Sequence, residues 1–228
     1  MQRRAVALMA EHGKRPEGRS PYLEDDVADA ETNLDLEALV GSGDVRATLL
    51  FVRLLERMRR AIALEFGLPL NTVRAHSGFV SRISARALPA SYGIVHADES
   101  SCDEFHYSAI LYLNSQGVDF GGGDFVFSDP PRAAQRGDEP STHASQPAGV
   151  TVEEHAGGRT LSRLAPRRGR ALIFSGGFEN IHYVDAVRSG ERMAIGTFWT
   201  TVPADADDSG QDLAVMAAAS LQSYEPLL

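Results

Sequence analysis

Cysteine is nearly absent. A single residue, Cys102, in a chain of 228 excludes an internal disulfide framework and leaves the redox compartment unreadable; the residue itself reads as a partly buried thiol. Positive charge is also in deficit, with 22 Lys and Arg against 31 Asp and Glu and a net charge of -9. No Lys/Arg run is interleaved with aromatics, so a polyanionic partner such as nucleic acid is disfavoured. The cluster Arg53, Arg57, Arg59 and Arg60 reads as the solvated face of a helix. No stretch of about 18 apolar residues is present, and the opening MQRRAVALMAEHGKRPEGRS turns polar too soon for a signal peptide. These absences predict a soluble chain with no membrane partner of its own. An anchor upstream would leave no trace here, and compartment and oligomeric state are not legible.

What remains suffices for one full-sized domain, since 228 residues at 43% hydrophobic content can bury a substantial core. Residues 1–44, with the acidic run LEDDVADAETNLDLE, read as a loosely structured approach segment carrying a short helix near Leu34 to Val40. A single domain is expected over 45–228. Its first firm element is an amphipathic helix from Val45 to Phe66, in which Leu50, Leu54, Met58, Ala61 and Ile62 recur at helical spacing opposite Arg53, Arg57 and Arg60. Asp44 caps its start, and Gly67 followed by Pro69 stops it. Beyond Pro69 the pattern turns to short β-branched or aromatic runs bounded by turn residues: TVRAHSGFVSRIS, YGIVHAD, FHYSAILYLN, DFVFSD, VTVEE, TLSRLAP, RALIFS, HYVDAVRS and RMAIGTFWTTV. Many short strands indicate a sandwich or barrel. The Pro-rich stretch 129–149 reads as a flexible insert. A C-terminal helix fits Asp212 to Tyr224, with Leu213, Met216, Ala217 and Leu221 on one side.

Within YGIVHAD, His96 and Asp98 stand two positions apart. On a strand this spacing sends both side chains to one face, close enough to share an ion. Alone, such a tripeptide is commonly a pair of surface polar residues. Downstream, His182 opens another strand-like run and Arg192 heads the next. Two imidazoles and one carboxylate leave positions of a six-coordinate ion open, as suits non-haem Fe(II); the lack of thiolates argues against structural zinc. The Arg192 guanidinium can then grip the far end of a dicarboxylate whose near end chelates the metal.

The stretches FHYSAILYLNSQGVDFGGGDFVFSD and RLAPRRGRALIFSGGFENIHYVDAVRSGERMAI, together with HAD, make the chain from about Val73 to Thr201 resemble the 2-oxoglutarate and Fe(II)-dependent dioxygenases. The likeness is to the prolyl 4-hydroxylase-like branch, and within it to oxygenase-domain proteins of poorly defined substrate. The resemblance implies a mainly β fold with flanking helices: a double-stranded β-helix, or cupin-like jelly roll, with its core over 73–201. The N-terminal helix is implied to pack on the major sheet. His96, Asp98 and His182 match the iron ligands, Arg192 the residue that pairs with the cosubstrate's distal carboxylate, and Tyr112 a tyrosine that donates to the same carboxylate. Tyr112 reads equally as a core aromatic. A second tyrosine that prolyl hydroxylases carry nine or ten positions before the first ligand is replaced here by Arg86 and Ala87, and Tyr92 does not substitute for it.

The implied cofactors are Fe(II), with 2-oxoglutarate and O2 as cosubstrates and ascorbate as a candidate reductant. The implied reaction couples oxidative decarboxylation to hydroxylation of a prolyl or other side chain of a peptide or protein. A small-molecule substrate and a catalytically silent jelly-roll binding module are the alternatives. Of the other histidines, His106 alternates with Tyr112 on one expected face, where it either lines the cavity or, as strand histidines more commonly do, bonds locally; His76, His143 and His155 lack a partner at metal spacing, and His12 lies in the loose start. GGGDF, before a strand and without a following Lys, reads as a turn with positive φ rather than a phosphate loop. SGGFEN reads as a similar turn that aims the strand bearing His182.

Overall fold

The computed structural model describes residues 31–35, 45–86, 94–129, 150–154 and 159–203. The start of the approach segment, the Asp44 cap, most of the 129–149 insert, the C-terminal helix and His12, His143 and His155 lie outside the described residues. Of the short helix expected near Leu34, its first residues instead form strand β1, Glu31–Asp35, which pairs antiparallel with β2; the rest lies outside. The expected single-domain boundaries fall largely on such residues too.

Helix α1, Val45–Glu65, leads into a short 3-10 turn at Leu70–Thr72. Strands then follow in order: β2 Arg74–Ser84, β3 Tyr107–Tyr112, β4 Phe120–Gly122, β5 Phe125–Asp129, β6 Val150–Glu154, β7 Thr160–Leu164, β8 Ala171–Ser175, β9 His182–Val184 and β10 Val187–Thr200. The larger sheet runs β1-β2-β10-β3-β8, with β4 joined to the first half of β10; the smaller runs β6-β7-β5-β9. All pairings between strands are antiparallel. Two facing antiparallel sheets with a helix on the outer side of the larger one form the expected jelly roll.

Alternation along the central strands decides what each surface holds. On β10, Met193 and Ile195 join Val73, Ala75, Val80, Ala109, Leu111 and Trp199 in a core shared with α1. Ala194 points the other way, into the space between the sheets, beside Tyr112, Phe125, Leu164 and Phe174. The helix does cover the major sheet. Met58 and Ile62 of the expected face are buried, but Phe51 and Leu55 complete the stripe, with Leu54 only partly buried against it and Leu50 turned outward. The sequence offers two overlapping apolar stripes one residue apart. Packing selects the one carrying the larger Phe51, leaving Leu50 44% exposed.

The helix ends where Gly67 takes a positive φ of 64° and the Leu68 amide donates to the Ala63 carbonyl at 2.8 Å. This six-to-one closure satisfies a carbonyl the helix would leave bare. No helix among the described residues is long and apolar enough to cross a membrane.

Replacing Ile62, fully buried in the core shared by the helix and the larger sheet, with alanine is expected to destabilise the protein by about 2–5 kcal/mol. Leu50→Ala should cost no more than about 0.5 kcal/mol. Urea unfolding of both variants checks the assignment of the stripe; a larger loss at Leu50 would contradict it.

Candidate active site

His96 and His182 meet across an isolated antiparallel bridge. The His96 amide donates to the His182 carbonyl at 3.0 Å, and the His182 amide returns the bond at 2.9 Å. YGIVHAD is therefore not a strand over its described residues. It touches the sheet at this one residue pair, and a 3-10 turn, Asp98–Ser100, begins two positions later. Ala97 between them is extended, with φ -106° and ψ 142°, so the His-x-Asp spacing still sends both side chains to one side. His182 opens β9, as expected. HYVDAVRS, however, is broken after Val184, and Arg192 lies inside the long β10 rather than at its head.

Asp98 Oδ1 sits 3.6 Å from Nε2 of His96 and 3.6 Å from Nε2 of His182. One ligand atom from each of the three lies within 4.8 Å of the others. Each imidazole is oriented by its far nitrogen: Nδ1 of His96 bonds the Ile94 carbonyl and Nδ1 of His182 the Asn180 carbonyl, both at 2.8 Å. A carbonyl only accepts, so Nδ1 carries the hydrogen and Nε2 presents its lone pair inward. The Ser108 hydroxyl, buried on β3, donates to Asp98 Oδ2 at 2.5 Å, leaving Oδ1 for the centre. Sequence reasoning missed Ser108, whose alternation on β3 was its only signal.

The electrostatics follow from unequal burial. The His96 side chain is 42% exposed and that of His182 only 4%. The Asp98 carboxylate beside His96 raises its pKa above the ordinary imidazole value despite partial burial. Burial lowers that of His182, outweighing the attraction of Asp98. For Asp98, burial works against ionisation, yet His96, His182 and the Ser108 hydroxyl together hold its pKa below the usual carboxylate range. An ionised carboxylate and a buried neutral imidazole are the forms a divalent ion requires.

These residues fit an iron ion. Adjacent donors around an ion with bonds of about 2.1 Å stand roughly 3 Å apart, so the 3.6 Å contacts of Asp98 Oδ1 with both imidazoles need only a small side-chain adjustment to close on one. Three donors of mixed N and O type leave further positions open. Aromatic rings wall the inner side: Phe125 stacks on His182 with centroids 4.8 Å apart, and Phe174 meets its edge at 5.0 Å.

Beyond that wall, Tyr112 on β3 is 1% exposed, and its hydroxyl is buried without a hydrogen-bond partner. Burial pushes its pKa up, against the pull of Arg192 and Arg170. Arg192 is 2% exposed; its Nε donates to the Gly123 carbonyl at 3.1 Å, and its Cζ lies 5.4 Å from the centre of the Tyr112 ring. Burial lowers its pKa as well. Gly123 allows this approach: its φ is 72°, and a Cβ there would press to 3.1 Å from Arg192 Cδ. GGGDF is thus the positive-φ turn expected, at Gly122 and Gly123. In SGGFEN the reason for glycine differs. Neither residue has a positive φ; a Cβ on Gly176 would meet the Phe105 carbonyl at 1.9 Å, so close backbone approach excludes a side chain. A second basic residue, Arg170, borders Tyr112, and Nη1 of its guanidinium is buried with no partner. It too was missed, because a run of Arg167, Arg168 and Arg170 reads as solvated charge.

The remaining candidates are structural. His106 Nδ1 contacts the Thr201 hydroxyl at 2.9 Å and accepts from the Thr201 amide. His76 faces Glu104 at 3.8 Å and Phe105 edge-on. Cys102 is a half-buried free thiol. Ala87 and Tyr92 lie outside the described residues.

Comparison with known proteins adds the following. The family profile described as the 2OG-Fe(II) oxygenase superfamily matches residues 86–201, just over half of the chain. The human 2-oxoglutarate and iron-dependent oxygenase domain-containing protein 3 is 31% identical over 144 residues, covering 61% of this chain and 36% of the human protein. Human prolyl 3-hydroxylase 1 is 37% identical over 97 residues, 42% of this chain and 9% of that protein. The chain therefore spans little more than a third of the first relative's length. Among solved structures, a prolyl hydroxylase from Trichoplax adhaerens, in complex with a hypoxia inducible factor oxygen degradation domain peptide fragment, superposes with a TM-score of 0.51 at 14% identity, covering 88% of this chain and 76% of that one. At that identity the likeness speaks for the fold.

Ser108→Ala should weaken metal affinity by about 10–100-fold, the usual effect of losing a ligand's hydrogen-bond partner, with little change in melting temperature. Metal titration of the purified variant tests this; wild-type affinity would remove Ser108 from the site.

Proposed function

The chain belongs to the 2OG-Fe(II) oxygenase superfamily, and on that premise we propose that it is a hydroxylase of polypeptide side chains, with a prolyl residue as target. The observation that carries the reading is the convergence of His96, Asp98 and His182 on one point, with the buried Arg192 held on the inner face of the adjoining sheet. Fe(II) and 2-oxoglutarate, the cofactors of this superfamily, would together activate O2, the oxidant, with 2-oxoglutarate supplying two of the electrons. The protein's own residues bind, orient and exclude water.

In this reading His96, Asp98 and His182 are the metal ligands. Asp98 brings the negative charge that favours a divalent ion, and the two Nδ1 bonds to carbonyls fix both rings before the ion arrives. Phe125, Phe127 and Phe174 keep the inner side of His182 dry. Arg192 and Tyr112 receive the distal carboxylate of 2-oxoglutarate. The guanidinium is buried, donates through Nε to the Gly123 carbonyl and meets the Tyr112 phenol, whose hydroxyl has no well-aligned partner. A carboxylate would complete both.

Support for a polypeptide target comes from the rim. Ile94 and Val95 precede His96, Phe178 precedes His182, and all three are strongly exposed, at 63%, 53% and 67%. Such an apolar border beside a metal site suits an extended chain laid across it. The likeness to a prolyl 3-hydroxylase supports proline as the residue.

Anaerobic addition of Fe(II) and 2-oxoglutarate is expected to produce a weak visible charge-transfer band, lost in His182→Ala; a silent binding module would give none. Succinate release should rise with Pro-rich peptides, whereas stimulation confined to small molecules would overturn the polypeptide reading. Arg192→Ala should raise the Kd for 2-oxoglutarate at least about thirtyfold, as expected for truncating a buried charged contact, with Fe(II) affinity nearly unchanged. Equal loss of both would mean a collapsed fold rather than a lost anchor.

A further inference from the structure

The inner face of the larger sheet carries three polar side chains on three adjacent strands. Tyr112 ends β3. On one side it pairs with Ala194 of β10, which places Arg192, two residues away, as its diagonal neighbour on the same face. On the other side the β3–β8 register ends at Leu111 opposite Ala171. The Tyr112 amide then donates to the Arg170 carbonyl at 3.0 Å, extending the ladder by one pair. Leu172 and Phe174 of β8 lie in the core between the sheets, so alternation turns Arg170 toward that interior as well.

Two of the three share one deficiency. The Tyr112 hydroxyl and Arg170 Nη1 are both buried without a hydrogen-bond partner of good geometry. Arg192 gives Nε to Gly123 and otherwise meets the Tyr112 phenol. A buried donor left unsatisfied is costly, and more so when charged, so the phenol and the Arg170 guanidinium both need an acceptor. Charge points the same way. The acidic group that acts electrostatically on both Tyr112 and Arg192 is Asp124, itself hydrogen-bonded by Gln116 at 2.7 Å. One carboxylate offsets one guanidinium. With Arg192 alone the pocket would be neutral; Arg170 gives it the surplus positive charge that attracts an anion.

We propose that Arg170 is a second cationic ligand of the cosubstrate's distal carboxylate, so that the diacid end is held between Arg170 and Arg192 with the Tyr112 hydroxyl between them. This rests on the reading of the site as a 2-oxoglutarate pocket. It goes beyond that reading by assigning specificity for a diacid over a monoacid to two residues rather than one.

The test uses the full chain loaded with Fe(II), anaerobically, with two probes: 2-oxoglutarate and 2-oxopentanoate, which keeps the chelating end but lacks the distal carboxylate. Arg170→Met should weaken 2-oxoglutarate by about 10–100-fold, the range for a hydrogen bond to a charged group. It should leave 2-oxopentanoate and Fe(II) affinity unchanged, and Arg170→Lys should recover part of the loss. Without ligand, Arg170→Met should melt no lower than wild type, because a buried donor without a partner has been removed; a merely structural arginine would lower it. Wild-type affinity for 2-oxoglutarate in Arg170→Met, or equal loss of both probes, overturns the proposal while leaving the pocket reading intact. Failure of the wild-type protein to prefer 2-oxoglutarate over 2-oxopentanoate would instead overturn the pocket reading itself.

Discussion

The site depends on two backbone hydrogen bonds. Between His96 and His182 the amides and carbonyls are exchanged reciprocally, and this single pair of bonds is the only ladder contact that the segment before Asp98 makes among the described residues. Without it, one imidazole and the carboxylate would hang on a loop while the other imidazole stayed on β9. With it, two ligands distant in sequence are set to the spacing of neighbouring strands, and everything that side-chain contacts add is refinement. Ser108 chooses which carboxylate oxygen faces inward, and the Ile94 and Asn180 carbonyls choose which nitrogen does.

Around that contact the interior is polarised. One end gathers Asp98 between two imidazoles, the other Arg192 and Arg170 around Tyr112, and rings from Phe125 and Phe174 fill the layer joining them. A low-dielectric middle strengthens electrostatic interactions at both ends. A molecule with a chelating head and an anionic tail is complementary to both, which a plain hydrophobic cavity or an isolated metal site would not be.

Much of this was legible in the residues. The alternation of apolar and polar positions marked most of the strands, and His96, Asp98 and His182 stood out because the resemblance supplied the third corner that a tripeptide cannot. What escaped notice has physical reasons. Phe51 and Leu55 lost to Leu50 and Leu54 in the helix because two apolar stripes one residue apart look alike until a sheet selects between them. The stretch before His96 reads as a strand because Ile94 and Val95 are β-formers; both are exposed instead, beside His96. Arg170 was hidden by its neighbours Arg167 and Arg168, and only the pairing of Tyr112 with β8 shows that it turns inward. Gly176 looked like a turn residue, whereas what forbids a side chain there is the carbonyl of Phe105, a contact between chain segments some seventy positions apart.

Strand β10 has a helix on one side and the interior between the two sheets on the other. Met193 and Ile195 fit against α1, while Ala194 faces that interior and Arg192, two residues away, shares its side by alternation. A strand is one residue thick, so neither surface can shift without carrying the other. Filling the interior should therefore stiffen the helix on the far side, and slack in the helix should blur the aim of the Arg192 guanidinium: a firm outermost layer and a well-aimed inner charge are a single mechanical property.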